Sequence, residues 1–387
     1  MKTFMGYKRG DGSVGIRNQI AVISTVSCAN PVVEQICAEV PEAVRIIHQG
    51  GCGSGGRDLI THTRTLQNLC RNPNFGAVCI VGLGCELIPA ESLHLAMLVT
   101  KKPVEKIIIQ DVGGTVKARE IGIKTVRKMR DDLNKVKPEP HPFEHLKIGL
   151  ECGGSDAFSG ITANPAIGVV SDWITGMGGT SILTEITEMT GTNEILKRRS
   201  AVSETAEKID ALIDRTNSEA RKILGAFADL SISAGNMEGG LSTVSEKSMG
   251  CITKGGTGEI MDVIEYAEIP DQKGLIIMDG PGYDPVSMTG LAASGCQLIL
   301  FSTGRGSPLG FPGVPVIKIS SNTVVSECLK DNIDINAGAA LDKGKSIEDI
   351  GNMIIDMTVR VANGEKTSSE VHGQDGIVCL YSMDRTF

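Results

Sequence analysis

Short uninterrupted runs of valine, isoleucine, leucine and alanine recur along the chain. Each ends in a turn bearing glycine, cysteine or a carboxylate, and a helical segment usually follows. This rhythm constrains the fold more than any other feature. A strand that is apolar on both faces must be covered on both, and helices between consecutive strands supply the cover and make the strands parallel.

In the first part, such runs fall at 20–26, 44–47, 77–83 and 107–109, with helices predicted at 31–40, 59–70, 89–98 and 116–133. Pro31 stands where a first helical turn tolerates its missing N–H. Residues 135–145 carry three prolines and mixed charge, and read as a linker. Beyond it, runs at 146–150, 181–184, 275–278, 298–301 and 314–319 continue the pattern, with helices predicted at 166–175 and 347–361. Ile209, Leu212, Ile213, Ala220, Ile223, Leu224 and Phe227 form an apolar stripe at helical spacing, expected as core. The reading is an α/β protein of two domains with mainly parallel sheets flanked by helices: 1–134, a linker at 135–145, and 146–387.

Composition excludes several functions. A net charge of −8 with 3% aromatic residues gives no basic surface and few stacking platforms for nucleic acid. No apolar run approaches the ~20 residues that span a bilayer, and no N-terminal stretch reads as a secretory signal, so a cytoplasmic protein is expected. The 11 cysteines are odd in number and form no CxxC pair, which argues against a disulfide framework, a zinc ribbon or a thioredoxin-type centre.

The chemistry-bearing residues sit where predicted strands end: Cys28, His48 with Cys52, Cys85 with Glu86, Glu151 with Cys152, Glu185, and Asp279. Carboxyl ends of parallel strands share one edge, so these residues can converge. Thiolate, imidazole and carboxylate together suit iron(II) or zinc, whereas sulfur disfavours magnesium. Cys37, Cys70, Cys79, Cys328 and Cys379 lie on predicted elements and read as small buried hydrophobes. His48 is as readily a hydrogen-bonded structural histidine as a ligand. Lys247, beside Glu246 and between two glycine-rich turns, and Lys318, ending an apolar strand, are candidate general bases if burial lowers their proton affinity. The glycine cluster Gly51-Cys52-Gly53-Ser54-Gly55-Gly56 fits a dinucleotide turn only loosely.

The densest polar stretch is Glu151-Cys152-Gly153-Gly154-Ser155-Asp156, continued by Ser159-Gly160-Ile161-Thr162-Ala163-Asn164-Pro165. Together with Gly15-Ile16-Arg17-Asn18, Gly82-Leu83-Gly84-Cys85-Glu86, Glu246-Lys247-Ser248-Met249-Gly250-Cys251 and Phe301-Ser302-Thr303-Gly304-Arg305-Gly306, it resembles the signature of the altronate/galactarate dehydratase family over nearly the whole chain. The resemblance implies a lyase that removes water from a sugar acid to give a 2-keto-3-deoxy acid, with iron(II) as the usual metal and Mn2+ or Zn2+ as alternatives. Taken together with the strand-end and turn residues above, it makes Cys52, Cys85, Glu86, Glu151 and Cys152 candidate metal ligands, although the loop Gly51 to Gly56 differs from the form of the altronate enzymes. Lys247, His48, Asp156 and Glu246 become candidate catalytic groups, and Arg17, Asn18, Ser155, Asn164, Asn236, Arg305 and Lys318 candidate substrate contacts. Fused members of the family carry a further small N-terminal domain. This sequence begins almost directly at Gly6-Tyr7, so a separate small subunit within an oligomer is expected to complete the site. A related sulfolactate sulfo-lyase expels sulfite by an analogous elimination, which keeps a sulfonated hydroxy acid open as substrate. A non-catalytic metal- or sugar-acid-binding subunit is the remaining alternative.

Overall fold

The computed structural model describes residues 3–225, 228 and 233–385. A seven-stranded, wholly parallel sheet is ordered Ile260–Ile264, Gly274–Met278, Thr180–Leu183, Lys147–Gly153, Leu298–Thr303, Val316–Ser320 and Ile335–Asn336. A second parallel sheet has four strands, Ala43–Ile46, Gln19–Ser24, Phe75–Gly82 and Val104–Ile108. The fold is therefore α/β with helices against parallel sheets.

Residue alternation explains why the runs are apolar throughout. In the strand Gln19–Ser24, Ile20 and Val22 face the helices Asn30–Glu39 and Thr115–Leu133, while Ala21 and Ile23 face the other way. On that inner side they join one apolar cluster with Ile182, Ile276, Ile299 and Phe301 of the larger sheet, so the two sheets share a core. The helices Gly56–Arg71 and Asp284–Ala293 pack within it. The opposite face of the larger sheet is covered by Ala163–Gly176 and Ile347–Ala362.

The 135–145 segment, expected as a linker, contains an edge strand: Glu139–Pro142 pairs antiparallel with Thr3–Gly6, and Phe143 is buried in the core of the larger sheet. Proline is tolerated there because the strand lies at an edge, where a missing N–H costs no ladder bond. The long helix Ser203–Leu224 buries Ile209, Leu212 and Ile213, but Ile223 is 80% exposed because the last turns run beyond the core; Phe227 lies outside the described residues. Among the described residues no helix is long and apolar enough to cross a membrane.

The central strand of the larger sheet, Lys147–Gly153, lies between the strand that follows it in sequence and a strand from much later, Leu298–Thr303. Strand order reverses at this point. The carboxyl end of such a strand opens a crevice between diverging connections, and it carries Glu151 and Cys152.

Candidate active site

Glu151 and Cys152 are consecutive on a strand and project to opposite faces. Glu151 occupies a fully buried inward position, in register with Phe301. Its Oε2 accepts a hydrogen bond of 2.5 Å from Ser287 Oγ of the helix Asp284–Ala293, and its Oε1 has no partner among the described residues. Burial, reinforced by Glu185 and Asp284, raises its pKa well above the ordinary carboxyl range.

The turn after Thr180–Leu183 supplies two further acids. Glu185 adopts the left-handed conformation at φ 69°, uncommon for a side-chain-bearing residue. Its Oε2 accepts from the Cys152 backbone N–H at 3.0 Å and from Lys254 Nζ at 2.8 Å, while its Oε1 is unpartnered among the described residues. Burial, with Glu188 nearby, pushes Glu185 up to about 7. Glu188 Oε2 accepts from both thiols, Cys152 Sγ and Cys251 Sγ, each at 2.8 Å, and the two sulfurs lie 3.7 Å apart. Burial works against its charge, but Lys247 and Lys254 outweigh it and hold Glu188 below its usual value.

Lys247 Nζ pairs with Glu188 Oε1. Burial opposes its charge, yet Glu188 and the thiols beside it raise its proton affinity, so Lys247 rests as an ammonium ion. The carboxylate against it, with the thiols, outweighs its desolvation. Hydrogen bonding to Cys251 favours a Cys152 thiolate, but burial and the adjacent carboxylates raise the thiol above its ordinary value; Cys251 is raised further by the bond to Cys152 and by burial.

Four buried or half-buried acids and two thiols thus surround two lysines. Two sets of donors stand close enough to hold an ion, Cys152–Glu188–Cys251 and Glu151–Glu185–Asp284, with the donor atoms of each set within 4.8 Å of one another. The first set fits a thiophilic divalent metal. A bound cation would stabilise the thiolates that burial alone disfavours.

Two cavities flank Lys247. One of about 450 Å3 is lined by Cys152, Thr187, Glu188, Ser233, Asn236, Tyr283 and Asp284. The other, of about 260 Å3, is lined by Ser155, Asp156, Ser159, Asn164, Glu246 and Cys251. The glycines of the signature make the close approaches possible: a Cβ on Gly153 would lie 2.4 Å from Asp284 Oδ2 and 2.5 Å from the Phe301 ring.

The expected site residues divide by location. Asp156 is buried and saturated: Oδ1 accepts from Ser159 N and Oγ and from Ser321 Oγ, and Oδ2 accepts from Asn322 Nδ2. It locks the turns after Lys147–Gly153 and Val316–Ser320 together. Asn164 links Ser302 Oγ to Gly250 O, and Ser155 Oγ donates to Cys152 Sγ at 3.8 Å. Glu246 accepts from Ser242 N and Oγ at the start of the helix Val244–Cys251, and these bonds lower its pKa. Asn236 faces the larger cavity. Arg305 is half-exposed and pairs with Glu238 at 2.9 Å. Lys318 is buried, donates to Ser307 O at 2.9 Å, and is lowered to about 8 by desolvation.

The remaining candidates lie elsewhere. Arg17 pairs with Glu370 and donates to Val361 O and Glu365 O, and Asn18 bridges Arg9 and Leu133 O. These bonds tie the N-terminal segment to other parts of the fold and leave no fork for a ligand. At the carboxyl edge of the four-stranded sheet, His48 is buried with Nε2 against Ser24 O at 2.9 Å and Nδ1 accepting from Gly50 N at 3.1 Å. Burial lowers it to about 4, which suits a structural histidine. Glu86 accepts from Thr25 Oγ1 and Gly84 N, while Cys52 and Cys85 are exposed. None of these four belongs to a metal-competent group among the described residues. Glu188, Cys251, Lys254, Asp284 and Ser287 were missed as site residues by the sequence reading. Lys254 looks like an ordinary loop lysine between Thr253 and Gly255, and the only warning is the density of glycine around it.

Residues 143–384 match the family described as D-galactarate/altronate dehydratase, C-terminal, and residues 6–134 match D-galactarate dehydratase/altronate hydrolase, second domain. The chain is 36% identical over 380 residues to altronate dehydratase of Bacillus subtilis, covering 95% of this chain and 76% of the relative. It is 34% identical to galactarate dehydratase (L-threo-forming) of Escherichia coli, covering 94% and 73%. Against (2R)-sulfolactate sulfo-lyase subunit beta of Chromohalobacter salexigens it is 31% identical, covering 96% and 95%.

Proposed function

The chain belongs to the D-galactarate/altronate dehydratase family of hydro-lyases, and from that premise we propose that it removes water from a sugar acid to leave a 2-keto-3-deoxy acid. The observation that carries this reading is one cavity of about 450 Å3 bordered at once by the Lys247 ammonium, the Cys152 thiol and the Glu188 and Asp284 carboxyls. Cys152, Cys251 and Glu188 would hold iron(II), for which two sulfurs and one carboxylate are a suitable donor set. Bound there, iron(II) supplies Lewis acidity toward the substrate's oxygens.

The chain's own groups do the rest. Lys247, paired with Glu188 at the cavity wall, gives its proton to the departing hydroxyl, and the neighbouring Glu246 carboxylate takes the proton from the carbon beside the substrate's carboxylate, so that water and the enol of the 2-keto acid are the products. Ser233 and Asn236 offer hydrogen-bonding groups to a polyol chain. Asp156, through Ser321 and Asn322, fixes the turn after Gly153 that lines the smaller cavity. The test is incubation of the chain, with and without its small partner, with iron(II) and a panel of hexonates, hexarates and sulfolactate. A product that reacts as a 2-keto acid from a sugar acid supports the reading, and no turnover of any of them under either condition defeats it.

A second reading has its own support, the match over 95% of the length of a relative named as a sulfo-lyase subunit. In it, the same Lys247-bearing cavity accepts a sulfonated hydroxy acid and sulfite leaves in place of hydroxyl. Under either reading we propose a separate small subunit that works with this chain in an oligomer. Full activity of the isolated chain would remove that part of the proposal, and sulfite release would decide between the two substrates.

A further inference from the structure

We propose that Glu151, Glu185 and Asp284 form a second cation site, distinct from the thiol-bearing group, that takes a hard divalent ion of the Mg2+ or Mn2+ type. The three acids come from a strand, the turn after the neighbouring strand and the start of a helix, and their donor oxygens lie within 4.8 Å of one another. Acidic residues alone would not make a site. Here Glu151 and Glu185 are fully buried, and each keeps one oxygen without a partner among the described residues. Their other oxygens are already used, by Ser287 Oγ on Glu151 and by Cys152 N and Lys254 Nζ on Glu185. Buried carboxylate oxygens left bare are costly unless an ion or a proton meets them.

Lys254 brings one positive charge to three acids, so the set remains short of cation. The donors are all oxygen, which selects a hard ion, in contrast to the sulfur-bearing set beside it. Asp284 lines the larger cavity and provides the way in. The competing arrangement is a proton shared between Glu151 and Glu185, and binding measurements separate the two.

The full chain is stripped with a chelator and titrated with Mn2+, counting free ion by its electron paramagnetic resonance signal. In parallel it is titrated with Co2+, whose thiolate charge-transfer band reports on Cys152 and Cys251. The expected result is about one Mn2+ bound per chain, weakened about 10-fold or more in Asp284→Asn with the cobalt–thiolate band intact. Cys251→Ser should remove the band and leave Mn2+ binding in place, and Glu151→Gln should behave like Asp284→Asn. Failure to bind Mn2+, or Mn2+ binding that is insensitive to Asp284→Asn and Glu151→Gln, overturns the second site in favour of a shared proton. Loss of Mn2+ in Cys251→Ser also overturns it. Because the cobalt band is read separately, each of these results leaves the thiol site to be judged by itself.

Discussion

Lys254 Nζ lies 2.8 Å from Glu185 Oε2, and both side chains are 1% exposed. The same carboxylate oxygen accepts the backbone N–H of Cys152. A lysine on the turn after Val244–Cys251 therefore holds, through one acid, the residue at the carboxyl end of the central strand.

Breaking this pair should be costly, because a buried charge is left without its partner. Lys254→Met is expected to lose about 3–5 kcal/mol of stability, seen as a lower urea midpoint. Adding Glu185→Gln should recover part of that loss. A double variant no more stable than the single one would contradict the pairing argument.

Lys247 lines both cavities and pairs with Glu188, so its loss should act on turnover as well as on stability. Lys247→Ala is expected to lower kcat by about 100- to 10,000-fold, with an unchanged far-ultraviolet circular dichroism spectrum. If kcat holds and only KM rises, Lys247 binds substrate without supplying a proton.

The glycine after Cys152 is predicted to be intolerant for steric reasons. In Gly153→Ala the new methyl group would meet Asp284 Oδ2 at 2.4 Å and Phe301 at 2.5 Å, costing about 1–3 kcal/mol. Gly56→Ala, where a Cβ meets nothing within 4 Å, is the matched control and should stay within about 0.5 kcal/mol of the parent. Equal thermal midpoints for the two variants would show that the turn gives way.

His48 predicts a pH dependence. Its pKa falls from 6.5 in the unfolded chain to about 4 in the fold, chiefly through burial, so the folded state prefers the neutral ring. Below pH 6.5 the unfolded chain takes up a proton that the native chain refuses. The stability His48 contributes is thus complete above about 6.5 and is lost as pH falls to about 4, at roughly 1.4 kcal/mol per pH unit. His48→Gln should flatten the urea midpoint over that window. An unchanged slope would place the acid sensitivity elsewhere.

Much of the architecture was legible locally. The order of strands and helices follows from apolar runs and turn chemistry, and the runs at 20–26, 77–83, 146–150 and 298–301 all lie on or beside observed strands. The expected linker hid an edge strand because two prolines in four residues suppress the strand pattern without forbidding an edge position.

The membership of the site was only half legible. The strand ends that carry the expected residues fall on two sheets. Glu86 and His48 are satisfied within the smaller sheet, with Cys52 and Cys85 exposed nearby, while Glu151 and Cys152 stand at the reversal point of the larger one.

By itself the sequence determined the α/β rhythm, the polar turn that begins at Glu151, and the family signature, since each is written in contiguous residues. Only the tertiary structure decided that Cys152 meets Cys251, 99 residues away, that Lys254 is buried against Glu185, and that Lys247 pairs with Glu188. Those facts depend on strand order and on a core shared between two sheets. A pairing between distant segments is set by how whole faces bury one another, and no local periodicity records it.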